Sequence, residues 1–106
     1  MLEPHECRRL TTLAMVHHAA GRYEDSERVL REAKEKFGGG NAFEIAVVHA
    51  VRGEPDRAFE WLERAYTQKD PVLWEIKTDV TFDSLRGDPR WSALLKKLGL
   101  DRQSPS

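Results

Sequence analysis

Cysteine is nearly missing from this 106-residue chain, which carries Cys7 alone. One thiol closes no internal disulfide, which excludes a cross-linked secreted scaffold and predicts a reducing, cytoplasmic setting. An excess of one charge is missing as well: 17 Lys and Arg stand against 18 Asp and Glu. Residues 1–70 hold 11 basic and 13 acidic side chains, and residues 71–106 hold 6 and 5. Neither stretch is a basic arm, so nucleic acid is not predicted as a partner. Long hydrophobic runs are missing too. The longest nearly apolar one, Ile45 to Val51, is far too short to cross a bilayer. The opening residues Met-Leu-Glu-Pro-His-Glu-Cys-Arg-Arg lack the apolar segment of a secretory signal, so neither export nor membrane attachment is predicted.

The patterns of catalysis are equally scarce. Ser26, Ser84 and Ser92 lie in no Gly-x-Ser-x-Gly elbow. The one glycine cluster, Gly38-Gly39-Gly40, lacks the Lys-Ser/Thr of a phosphate loop and reads as a flexible turn. Cys7 lies close to His5, but at an N-terminus expected to be too mobile to hold a nucleophile against its base. Acidic pairs such as Glu24/Asp25 and Glu60/Glu63 read as solvated helix faces. Metal ligands could come from His5-Glu6-Cys7, from His17-His18, or from His17 with His49. The regular spacing of a tetrahedral zinc set is absent, and the favoured role for His17 and His49 is local hydrogen bonding. The chain is therefore expected to have no catalytic residue, no metal and no cofactor.

What is present is a repeat. A shift of 32 residues lays Ala14 on Ala46, His17 on His49 and Gly21 on Gly53, and further on Ser26 on Ala58, Leu30 on Leu62 and Ala33 on Ala65. Each copy reads as helix, Gly-centred turn, helix, with Gly at a helix C-terminus and Pro55 in the first turn of the helix that follows. Ser26, Val29, Leu30, Ala33 and Phe37 trace one helical face, and Ala58, Trp61, Leu62 and Ala65 repeat it, widened by Phe59 and Tyr66. No strand alternation is found. Farther on, Asp88-Pro89 reads as a helix start and Gly99 as its stop, around Trp91, Leu94, Leu95 and Leu98. The predicted fold is all-α: two helix pairs and a degenerate third unit in one domain, about 1–100. The boundaries are about 7–38, 39–70 and 71–99, with 101–106 a frayed tail.

Leu13-Ala14…His17…Gly21-Arg-Tyr23…Ser26…Leu30…Ala33 and its second copy, ending at Asp70-Pro71, resemble the tetratricopeptide repeat. The resemblance implies a right-handed α–α superhelix that binds protein partners. Ala14 and Ala46 replace the family's glycine in the first helix, and His17 and His49 its aromatic one turn later. Phe82-Asp-Ser-Leu85…Asp88-Pro89-Arg90-Trp91…Leu94-Leu95…Leu98-Gly99 is similar to the C-terminal end of repeat regions in bacterial signalling proteins: nucleotide cyclases, serine/threonine kinases and winged-helix regulators. That likeness implies a part, or a stand-alone relative, of such a sensor or regulator.

The segment Asn41–Arg52 is apolar nearly all round, so it should be covered on every side. Phe43, Val47 and Val51, with Thr11, Met15 and Ala19 of the first copy, fall on the side that lines the concave groove in the repeat family. Arg8, Thr12, His18 and Glu44 are expected beside them as a polar rim. The Lys and Asn with which the family grips a terminal carboxylate are absent at these places. The expected ligand is a peptide or helix of a protein partner. Two alternatives stand beside it: Trp74 and Ile76 folding back over Phe43 and Val47, or two copies of the chain pairing through the apolar patch.

Overall fold

A computed structural model describes residues 4–99. The predicted tail, 101–106, lies outside the described residues. Five α-helices run among them: α1 (Pro4–Ala19), α2 (Tyr23–Phe37), α3 (Ala42–Val51), α4 (Pro55–Thr67) and α5 (Pro89–Leu98). Two 3-10 helices, Pro71–Thr78 and Val80–Leu85, lie between α4 and α5. The described residues contain no strand. The chain is an all-α helical array.

α1 packs on α2 and α3 packs on α4, and α3 also meets α1, α2 and the second 3-10 helix. The turns within the two pairs form as their glycines require. Gly21 and Gly53 take φ of 80° and 75°, a left-handed conformation that other residues reach only with strain. The faces read from the sequence are the buried ones. In α2, Ser26, Val29, Leu30, Ala33 and Phe37 are inside; in α4, Ala58, Phe59, Trp61, Leu62 and Ala65 are. Small size at position 26 lets the two helices approach, and Ser26 adds a bond of its own, its hydroxyl donating to the Ala14 carbonyl of α1 at 2.7 Å.

The central position of α3 accounts for its composition. Ala42, Phe43, Ile45, Ala46, Val48, His49 and Ala50 are all buried, because helices or 3-10 turns meet it on several sides.

The third unit keeps the order of the first two but not their geometry. Its first half is a pair of 3-10 helices, each begun by an aspartate. Asp70 accepts from the Val72 amide at 3.1 Å, and Asp79 accepts from the Thr81 amide at 3.0 Å. Its second half, α5, starts as expected, with Asp88 accepting from the Arg90 amide at 2.9 Å and Pro89 in the first turn. Gly99 closes it with φ 77°. An aromatic chain joins this unit to α3: Phe43 lies 5.5 Å from Phe82, and Phe82 lies 6.2 Å from Trp91.

Candidate functional site

Of the ten residues expected to line or rim the groove, eight fall into four pairs. Arg8 and Glu44 come together, 3.6 Å apart, linking the first helices of the two pairs. Met15 and Val47 are half-buried and rest on the core, leaving part of each side chain to solvent. Thr12 is exposed, and His18 is half-buried with its ring 5.0 Å from that of Tyr23.

Thr11 and Phe43 need correction: neither lines an open surface. Thr11 is 1 % exposed, its hydroxyl donating to the carbonyls of Cys7 and Arg8 in the preceding turn of α1. Phe43 is 4 % exposed because Phe82 packs against it. The cover over α3 is thus Phe82 rather than Trp74. The indole of Trp74 instead donates to the Leu98 carbonyl at 3.2 Å, at the far end of α5, while Ile76 is fully buried. What stays uncovered beside Met15 and Val47 is Val51, 42 % exposed one turn along α3.

Cys7 also departs from expectation. It lies inside α1 with no exposed surface, and burial, helped by the charges of Glu44 and Asp70, pushes its thiol up to about 11. A thiol so rarely ionised is a packing group and a poor nucleophile.

Sequence reasoning missed an apolar strip on an adjoining face of α1. Leu13 and Val16 are exposed, and with Arg8, Arg9 and Thr12 they line a shallow cleft of about 450 Å³. Their counterparts 32 residues on, Ile45 and Val48, are fully buried. The spacing of Leu13 and Val16 from Arg9 and Thr12 places all four on one helix face. That face lies on the first of the described helices, and Leu13 and Val16 are exposed there.

A polar cluster sits at the α3–α4 turn. His49, buried, shares a 2.7 Å hydrogen bond between its Nδ1 and Oε1 of Glu54. Arg52 donates through Nη2 to Glu54 at 3.1 Å and to Glu27 of α2 at 2.7 Å. Desolvation pushes the His49 imidazole below its ordinary value; the bond to Glu54 opposes this, and the charges of Lys34 and Arg52 reinforce it. The Glu27 carboxyl is held below its usual range, chiefly by its bond to Arg52. His49 is thus tied into a structural network, and no group of three His, Cys, Asp or Glu converges as a metal set among the described residues.

Paired helices with glycine turns and a matching register define the class: a helix-pair repeat protein. Consistent with this, the tetratricopeptide repeat family model matches residues 4–32 and 46–64. Repeats of this family generally mediate protein–protein interaction. No curated protein and no solved structure matches the chain. No described helix is long and apolar enough to cross a membrane.

Proposed function

We propose that the chain is a non-catalytic protein-binding module that takes a peptide or helix of its partner on the inner face of α1 and α3. The observation that carries this reading is the incompletely covered apolar row Met15, Val47 and Val51, spanning the first helices of both repeats. Burial of that row by a partner would drive docking, and the Arg8–Glu44 pair at its margin would orient the bound segment. Thr12 and His18 would add polar contacts at the rim. The even balance of charge supports a protein partner over nucleic acid, and the lone buried thiol is compatible with action in the cytoplasm.

The test is capture of protein from lysate by wild type and by Val47→Asp. Circular dichroism first establishes that the variant folds, as expected for a half-buried position. A protein retained by wild type and lost by the folded variant is the expected result. Equal capture, or none by either, would remove the inner face as the site.

A second reading rests on Leu13 and Val16. An uncovered apolar strip on the first helix of a stack suits packing against another helical unit, either a second copy of this chain or a neighbouring part of a bacterial signalling protein. In that reading the module regulates or oligomerises and needs no peptide ligand.

A further inference from the structure

Glu44, in the first turn of α3, is an acceptor left open on the inner face. Val47 and Val51 follow it at spacings of three and seven residues on the same helix face, so a carboxylate stands at one end of the apolar row. Its side chain is 25 % exposed and accepts no hydrogen bond from any described residue; its ion pair is with Arg8, at 3.6 Å. That separation is beyond hydrogen-bonding reach, and the Arg8 side chain is itself 74 % exposed. A pair so long and so open to water contributes little, and it yields to a better-placed donor. Because an exposed side chain of α1 reaches Glu44, its carboxylate is open on the side of the groove.

The surroundings of Glu44 favour a cation. The charges that bear on Cys7, beside Arg8 in the chain, are those of Glu44 and Asp70, both negative. Arg9, the other cation of that turn, is engaged with Glu6 at 2.8 Å. Asp70 is buried and accepts from the Val72 amide, which leaves Glu44 as the reachable carboxylate of the two. An acidic partner would meet repulsion here. A wholly apolar one, lying over Val47, would strip water from Glu44 and offer no donor in exchange.

We propose that the inner face selects a partner helix that carries lysine or arginine one turn from its apolar residues, and that this cation displaces Arg8 and donates to Glu44. The inference rests on the reading of the inner face given above and names what that face accepts. Helical spacing sets the pattern: two apolar residues four apart would lie over Val47 and Val51, with the cation three residues outside the one over Val47. A charge-assisted bond to a carboxylate drawn out of water is stronger than the long contact it replaces.

The probes are three acetylated and amidated alanine-based helical peptides, each with two leucines four residues apart. Three residues outside each leucine they carry lysine, glutamine or glutamate, so that either chain direction presents the same group to Glu44. Binding to the full chain is followed by NMR through the methyl shifts of Met15, Val47 and Val51. The lysine peptide should bind roughly threefold to fivefold more tightly than the glutamine peptide, and the glutamate peptide more weakly than either. Glu44→Gln should erase the preference for lysine. Arg8→Gln, at an exposed position, should enlarge it by removing the competitor. Circular dichroism establishes that both variants fold. Equal binding of the three peptides, lost in Val47→Asp, would overturn the cation site and keep the inner face as a docking surface. A lysine preference that survives Glu44→Gln, or that shrinks in Arg8→Gln, would overturn Glu44 as the acceptor. Shifts at none of the three methyl-bearing residues would overturn both the cation site and the inner face.

Discussion

His49 stands where the repeat pattern favours an aromatic, and its surroundings decide how it behaves. The ring is buried, its Nδ1 faces Glu54, and Lys34 and Arg52 are the cations that bear on it from α2 and from the end of α3. Desolvation outweighs the carboxylate, so the folded-state pKa falls below the ordinary 6.5 of an accessible imidazole. The unfolded chain then binds more protons than the folded one between the two values. His49 therefore favours folding in full above pH 6.5, and that contribution shrinks as pH falls from there to the folded pKa. Thermal melts on either side of pH 6.5 should show a lower midpoint on the acid side. His49→Asn should flatten this dependence, whatever it does to the absolute midpoint. An unchanged slope in the variant would place the sensitivity on other groups. That His49 would hydrogen-bond locally was legible from its place in the repeat. Its partner was not, since Glu54 lies beyond the helix end, where only the geometry of the Gly53 turn brings the two together.

At the scale of elements, α2 and α4 were legible because their apolar positions fall on one face with polar residues opposite. The turns at Gly21 and Gly53 were legible for a related reason, since a left-handed residue between two helices asks for glycine. The stretch from Pro71 to Leu85 was not. Its two 3-10 helices follow no helical period, and their start signals, Asp70 and Asp79, have the same form as ordinary turn residues. This is also why Trp74 with Ile76 was the alternative cover weighed for Phe43, when Phe82 holds that place. The second 3-10 helix owes its position to Phe82, which is wholly buried and touches rings on both sides, Phe43 and Trp91. Phe82→Ala should cost about 3–5 kcal/mol, read from chemical denaturation. It should also raise exposure of the face around Phe43, seen as dye binding before the main transition. A loss under about 1 kcal/mol would mean that the third unit is not welded to α3 through this ring.

For the whole molecule, the stack has two unlike ends. The C-terminal end is closed by α5, whose Arg90 lies 4.7 Å from the Phe59 ring centre and pairs with Asp56 at 2.9 Å, tying the cap to α4. The other end is α1, with Leu13 and Val16 in solvent. A sequence repeat does not say which of its copies lies at an edge. The same residue types that are packed within an array become a surface on its first helix, and so this strip was not legible. Leu13→Glu with Val16→Glu should leave the melting midpoint within a few degrees of wild type, because exposed positions away from special features change stability by about 0.5 kcal/mol or less each. The double variant then separates the two functional readings. If α1 serves as a joint, wild type gains mass in light scattering as concentration rises, and the variant does not. If the inner face of α1 and α3 is the working surface, both chains stay at the mass of one copy, and the double variant still captures whatever Val47→Asp loses. Met15, Val47 and Val51 take no part in the cleft of Leu13 and Val16, although Arg8 and Thr12 border both surfaces. The separation therefore rests on the apolar row and not on its polar rim.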